Sequence, residues 1–569
     1  MRVRHLSIRN FRGIREMDWP LPDKTVLCLI GRGDATKSTI LEALRRVFHP
    51  QWNLQFDDAD FYHCTPANAI IIDVVLGRIP EDFRDLNSYG GYLCGWNLAA
   101  LQREEDPGDG LEDALRVRLQ VKADLEPVWR VIKNDDDEGV PFRANDRAKA
   151  TVSLIGAFSD RHLTWSRGSI LGQLTTEDNI ASLLAEAGRA AKAALEMRRA
   201  ADLTNFDDVA RKAEETARAL GVVVGSSYKA QLDTESMNVR VGGLSLHDGE
   251  MPLRQLGLGS KRMLTTGLQK QALRAPHITL FDEVEIGLEP HRIARLLQHL
   301  KADTTGQYFL TTHSPVVVRE LTVEDLYIVH SNNGKTAVVA ANKPSIADSI
   351  QGKIRAGAEA FLAPKVIVCE GATEVGFLRG LDSYWVFKGK ESFAYQGVAC
   401  FDANGASKIR EVAIGLNDLS YAVAVLADSD GEDHFSDGDA SYLREKGVAV
   451  TKWEGGVSIE ERVFADLPWP GVLAGFNVAR ELQRDDNRLL NQVETHYGPG
   501  FNRDHGAWVE EPALRLAIGK AAKVSDWFKR QSWAQKWVEG ISPYLDHDSI
   551  HETHLVRQIT GLRAWIDRA

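Results

Sequence analysis

Two apolar runs in the second half of this chain end in acids. Lys365–Cys369 (KVIVC) leads into Glu370-Gly371-Ala372-Thr373-Glu374, and Tyr421–Ala427 leads into Asp428-Ser429-Asp430-Gly431. Asp428 and Asp430 are two apart, so both side chains leave a strand end on one side. Acids at the strand ends of a parallel sheet gather at its carboxyl edge, where α/β folds bind ligands. Glu370, Asp428 and Asp430 could therefore share one locus. Three carboxylates together repel, a hard divalent cation relieves the repulsion, and oxygen-only ligands favour Mg²⁺ or Mn²⁺. The plainer alternative makes Glu374 a residue that favours a helix N-terminus and Asp428–Gly431 an ordinary turn. The order strand–Glu-Gly–helix, then strand–Asp-x-Asp, makes that alternative the weaker one.

A second set of residues suits phosphate chemistry. Gly31-Arg32-Gly33-Asp34-Ala35-Thr36-Lys37-Ser38-Thr39 follows the strand-like Thr25–Ile30 and opens an apolar-striped helix. Backbone N–H groups at such a helix start cradle phosphates, Lys37 reaches the outer ones, and Ser38 can hold Mg²⁺. Thr36 stands where glycine usually precedes the lysine, and a β-branched residue narrows the backbone choices there. Ile278–Phe281 ends in Asp282 and Glu283, placed to hold Mg²⁺ through water and to polarise an attacking water. Leu310-Thr311-Thr312-His313 puts a histidine at the end of the next strand, as a sensor of the terminal phosphate; taken singly it reads as a loop histidine. Gly257-Leu258-Gly259-Ser260-Lys261-Arg262 is a glycine-rich loop at a helix start, a second anion site. With two copies packed head to tail, that loop could close on the partner's phosphates.

These residues need a large α/β scaffold, and the chain supplies one. It has 569 residues, 44% hydrophobic and 26% charged. Such a composition excludes a disordered, collagenous or multi-span membrane protein and predicts three to four domains. Five scattered cysteines form no C-x-x-C pair, against a disulfide framework or a cysteine zinc site. The start lacks the apolar region of a signal peptide, and apolar runs such as Ala69–Leu76 are too short to span a bilayer, so a soluble cytoplasmic protein is expected. The net charge of −12 argues against a broadly basic nucleic-acid coat but not against a nucleic-acid enzyme. Arg2, Arg4, Lys408, Arg410, Lys529 and Arg530 are scattered candidates for a DNA face.

Periodicity predicts strands at 2–10, 25–30, 69–76, 115–123, 128–133, 236–241, 278–281 and 307–311, and helices at 37–48 and 290–301. The acidic stretches Glu104–Asp113 and Asp135–Glu138 read as solvated loops. Segment 176–220, rich in Ala, Glu, Arg and Lys, reads as an inserted helical pair. Residues 346–362 read as a connecting helix.

The four ordered elements of the first half resemble an ABC-type ATPase of the SMC/RecF kind, including the opening Ile8-Arg9-Asn10-Phe11-Arg12-Gly13. Glu370–Glu374 and Asp428–Asp430 resemble the Toprim fold of topoisomerases, primases and some nucleases. The two together resemble the OLD (overcoming lysogenisation defect) family of ATP-dependent endonucleases, as do Asp57–Phe61 and Arg161-His162-Leu163. The phosphate loop departs from that family, which commonly has Asn in place of Gly33 and Gly in place of Thr36. The resemblance implies an ATPase head at 1–170 and 236–345, a helical dimerisation insert at 171–235 and a linker helix at 346–363. A Toprim core at 364–470 and C-terminal helices at 471–569 complete it. It implies ATP at Gly31, Gly33, Lys37, Ser38, Thr39, Asp282 and His313, with Gly257 and Gly259 in the signature loop and Glu283 as the catalytic acid. It implies two Mg²⁺ or Mn²⁺ ions at Glu370, Glu374, Asp428 and Asp430, with Glu460 or Glu461 as the further acid and Glu460 preferred. Glu370 would serve as acid/base, and a late lysine, Lys520 or Lys523, would stabilise transition-state charge. DNA is the implied substrate, in a homodimer, in bacterial anti-phage defence, with or without a helicase-like partner. The competing class is an ATP-gated dimeric sensor or scaffold with structural acids. Topoisomerase and primase activities are disfavoured, because neither a breakage domain with its tyrosine nor a zinc module is evident.

Overall fold

Three apolar runs, Val26–Ile30, His277–Phe281 and Gly306–Thr311, lie side by side as parallel strands in the computed structural model, buried at every position. Both faces of such strands are covered, so the polar His277, Thr279, Gln307 and Thr311 are buried along with the apolar positions. The structure describes residues 1–149, 152–155, 245–272, 277–342, 347–431 and 433–568, with scattered residues between 163 and 227. The 171–235 insert and the strand expected at 236–241 lie almost wholly outside the described residues.

The three strands belong to a 14-stranded sheet among the described residues. Its other wing is antiparallel: Arg2–Phe11 pairs with Ile14–Pro20 and with Ile70–Gly77. The expected hairpin is present as Glu112–Val121 with Pro127–Ile132, closing at Val121 opposite Pro127. The acidic stretches are not simply solvated. Glu112 starts a strand and accepts from Arg4 Nε at 2.6 Å. Asp135 accepts from Arg116 and Arg118, each at 2.6 Å. Arg2 and Arg4 are buried, both pairing with Asp23, so they leave the list of DNA-facing cations.

A second sheet of four parallel strands has the order Val398–Asp402, Lys365–Cys369, Ala422–Ala427, Ala449–Lys452. The chain moves to one side of Lys365–Cys369 and then to the other, so the order reverses between Lys365–Cys369 and Ala422–Ala427. Glu370 and Asp428 follow those two strands, at the crevice where α/β sheets bind ligands. The expected connecting helix is two pieces, Ala347–Ala356 and the 3-10 turn Ala358–Leu362. They break at Gly357, where a Cβ would sit 2.6 Å from the Phe401 ring. Ile354, Ala358 and Phe361 are buried in one core that runs from Val26 and Leu326 of the first sheet to Val366 and Val425 of the second. This segment is a structural joint rather than a free linker.

Helices beyond residue 459 pack over the second sheet. Trp527, Phe528 and Trp537 form their centre, with the Phe528 and Trp537 rings stacked at 4.3 Å. No described helix is long and apolar enough to cross a membrane.

Candidate metal and nucleotide sites

The acids after the parallel strands converge on a cavity of about 400 Å³. Its lining includes Glu370, Glu374, Asp402, Asp428, Asp430 and Glu460, with Lys523 and Lys529. Glu370 and Asp428 arrive from strand ends. Glu374 lies in the first turn of the helix Ala372–Phe387, and its carboxylate accepts from Gly371 N at 2.8 Å. Glu460 opens the helix Ile459–Asp466, and Asp428 Oδ1 accepts from Ile459 N at 2.9 Å. That bond draws the Asp428 loop to the Glu460 helix.

The electrostatics are those of crowded, enclosed acids. Burial, then the charges of Glu460 and Glu370, raise Glu374 to about 7. Burial, then Glu374, Glu460 and Glu370, push Asp428 well above the usual carboxylate range. Burial also raises Glu460, against the field of Lys529. Glu374 and Asp428 thus each titrate in the field of the acids around them rather than alone. Asp430 is ion-paired with Lys523. Among the described residues no three His, Cys, Asp or Glu side chains stand close enough to hold one ion. The donor set nonetheless fits a hard divalent cation: it is all oxygen, enclosed, and over-supplied with negative charge.

Glu374 makes a stability prediction with a definite sign. Its folded pKa lies above its unfolded value, so the folded state holds a proton that the unfolded state has lost. In chelator, stability should be fullest below about pH 4.5 as far as this group is concerned, and should fall as pH rises to about 7. The loss is on the order of 3 kcal/mol for a group so enclosed. Urea melts at a series of pH values measure it, and a Glu374→Gln variant should flatten the dependence. An unchanged pH profile in that variant would refute the assignment.

Two sequence alternatives separate here. Glu461 is taken up in a capping box, accepting from Ser458 N at 3.1 Å, whereas Glu460 is buried against the cavity. Lys520 is exposed and absent from the cavity wall, while Lys523, on the same helix, lines it. The assignment of Lys520 as catalytic is therefore corrected. Asp402 and Lys529 also line the cavity and were not proposed for it from the sequence. Asp402 ends a parallel strand, as Glu370 and Asp428 nearly do, and that was its available signal.

In the first sheet, Gly31, Asp282 and Thr312 follow three adjacent parallel strands. Gly31 has φ +133°, and a Cβ there would lie 2.7 Å from Val329 O, so glycine is required. Gly33 faces open space. Lys37 is buried and donates to Gly31 O (3.0 Å) and Arg32 O (2.7 Å), as the loop's own carbonyls surround it. Burial lowers its pKa to about 8, against the raising fields of Asp282 and Asp34. Ser38 Oγ donates to Asp282 Oδ1 at 2.8 Å; Thr39 follows it in the helix. Glu283 is in the left-handed region at φ 48°. His313 is exposed, and its backbone N–H donates to Glu285 at 2.8 Å. In the glycine loop, Gly257 faces open space, but a Cβ on Gly259 would lie 2.1 Å from Gly287 O. The buried Arg262 ties that helix to the acidic strand, donating to Asp282 O at 2.8 Å.

Thr36 adopts φ 64°, ψ 13°, a left-handed conformation that costs a β-branched residue roughly 1–2 kcal/mol. Its Oγ1 lies 3.2 Å from that of Thr336. Thr36→Gly is expected to raise the stability of the nucleotide-free protein by about 1 kcal/mol, the relieved strain exceeding the lost hydroxyl contact. Thermal unfolding measures this, and a lower melting temperature would contradict it.

The two candidate sites thus lie on two sheets that share one core. Residues 134–319 match the family described as "AAA domain, putative AbiEii toxin, Type IV TA system". Residues 361–430 match "Overcoming lysogenization defect protein-like, TOPRIM domain". The chain thus carries an ATPase domain followed by a Toprim domain of the OLD-like family. No curated protein matches the sequence. Solved structures similar to it include an SMC head bound to the C-terminal winged-helix domain of ScpA (14% identity, 60% of this chain, 98% of that one, TM-score 0.33). The SMC head domain from Thermotoga maritima is another (16% identity, 60% and 99% covered, TM-score 0.29). The recombination mediator RecF is a third (12% identity, 60% and 98% covered, TM-score 0.31).

Proposed function

We propose that this chain is a metal-dependent DNA endonuclease governed by an ATP-binding head. The observation that carries the reading is the group Glu370, Glu374, Asp428 and Glu460, enclosed at the carboxyl edge of a parallel sheet and charged against itself. Two Mg²⁺ or Mn²⁺ ions, when bound, would supply an acidified water and charge stabilisation for the leaving oxygen of a phosphodiester. Glu370, Glu374, Asp428, Asp430 and Glu460 are the residues that would hold them. Glu370, at the cavity wall, is placed to take a proton from water. Lys523 holds Asp430, and the largely exposed Lys529 offers its ammonium to a phosphate at the mouth. In the head, Lys37 and the loop N–H groups bind the ATP phosphates, Asp282 orients Ser38, and Glu283 polarises water. His313 senses the terminal phosphate, and Gly257–Lys261 serves a partner's nucleotide. The reading extends to a cytoplasmic homodimer, with or without a helicase-like partner, in anti-phage defence.

The absence of a close three-residue ligand group among the described residues favours the sensor or scaffold as the second reading. Plasmid cleavage across divalent metals, with and without ATP, on the parent and Asp428→Ala proteins decides between them. Cleavage by the parent and none by the variant supports the nuclease; no cleavage by the parent under any metal leaves the sensor.

A further inference from the structure

The hydroxyl of Thr311 sits between the two acids of the head. It donates to Asp282 Oδ1 at 2.7 Å and accepts from Glu283 N at 2.8 Å. Thr311 ends its strand and is 1% exposed, so the hydroxyl has no access to bulk water. The single hydroxyl proton is committed to Asp282, and one of the two oxygen lone pairs accepts from Glu283. Asp282 Oδ1 thereby collects two donors, Thr311 Oγ1 and Ser38 Oγ, leaving Oδ2 outside that network. The second contact matters for Glu283. Its backbone lies at φ 48°, a conformation that persists in a non-glycine residue only where surrounding contacts hold it. Those contacts are the Thr311 hydroxyl on its N–H and, one residue on, the bond from Val284 N to Thr311 O at 3.0 Å.

We infer that Thr311 is a positioning residue for ATP hydrolysis: its hydroxyl sets where the Glu283 carboxylate points and which Asp282 oxygen stays free. The inference rests on the ATPase reading of the head and adds to it a residue that acts through the two acids it bonds. In the step concerned, the water oxygen bonds to the γ-phosphorus as the bond to the β,γ-bridging oxygen breaks. ADP leaves with that electron pair, and Glu283 draws the water's proton. Displacing Glu283 by even an ångström raises that barrier without weakening the hold of the phosphate loop on ATP.

The test compares Thr311→Val, which keeps the shape and removes the hydroxyl, with Thr311→Ser, which keeps the hydroxyl. Steady-state ATP hydrolysis and the Kd of a fluorescent ATP analogue are measured on the full chain, with Lys37→Ala alongside. The expected result is a fall in kcat of about 10- to 100-fold in Thr311→Val, with Kd within twofold of the parent, and recovery to within threefold in Thr311→Ser. Lys37→Ala should lose binding itself. Unchanged kcat in Thr311→Val overturns the inference, as does an equal loss in Thr311→Ser. A parallel loss of nucleotide binding or of the thermal transition in Thr311→Val reduces the residue to a structural one and overturns it too. Analogue binding by a parent that hydrolyses no ATP refutes the hydrolytic reading and the inference with it, whereas hydrolysis that ignores Thr311 refutes the inference alone.

Discussion

Asp428→Ala is expected to abolish DNA cleavage, by a thousandfold or more, while leaving ATP binding by the head intact. Asp428 is the member of the acidic group whose pKa is raised by burial and by three other carboxylates together. It also receives the N–H of Ile459, which begins the helix bearing Glu460. Removing it takes a carboxylate from the acidic group and unties that helix at once. Asp428→Asn separates the two effects. The amide oxygen can still accept from Ile459 N, and the enclosed negative charge is gone. In chelator, Asp428→Asn should therefore unfold at higher temperature than the parent, since burial and the neighbouring acids penalise the ionised carboxyl that the unfolded chain carries freely, and the amide avoids that cost. A more stable protein that cuts no DNA is the signature of a site built for an ion. Plasmid cleavage and calorimetry on the same preparations measure both. If either variant cuts at the parent's rate, Asp428 is not at the catalytic centre.

Gly376→Ala should unfold the Toprim region more easily, by about 3 kcal/mol. The helix Ala372–Phe387 packs on Gln531–Ile541 with almost no space between them. A Cβ at Gly376 would lie 2.3 Å from Gln531 O, and one at Gly380 would lie 2.4 Å from Val538 Cβ. The first clash is with backbone, which cannot rotate away, so the helices must part. Glu374 is two residues upstream on the same helix, and parting the helices moves it from the cavity. Loss of cleavage should accompany loss of stability. Gly561→Ala is the control: Gly561 lies in the helix His554–Arg568 with nothing near a new Cβ, so alanine there should stabilise by roughly 0.5–1 kcal/mol. Urea melts report both. A Gly376→Ala protein as stable as the parent would mean that these helices do not pack this closely.

The strands that carry the candidate sites were legible because their signals are local. Val26–Ile30, His277–Phe281, Lys365–Cys369 and Ala422–Ala427 are short apolar runs closed by a glycine or an acid, and each run reports its own burial. The acids one residue past a strand end were legible for the same reason. Misreadings arose where distant residues decide. Glu112 looked solvated until Arg4, from the first strand, reached it. The connecting segment looked like one helix, but the Phe401 ring leaves no room for a side chain at Gly357.

By itself the sequence determined that acids would stand at the carboxyl ends of parallel strands and that a phosphate loop would open a helix, because strand alternation, helix starts and glycine turns are set within a few residues. Only the tertiary structure decided which side chains meet. Lys520 and Lys523 are three residues apart on one helix, and its packing turns Lys523, not Lys520, toward the cavity. Lys529 and Asp402 join from other segments, and Thr311 reaches the acids of the neighbouring strand. Contacts of this kind depend on how helices and strands far apart in the chain settle against each other, which no local pattern encodes.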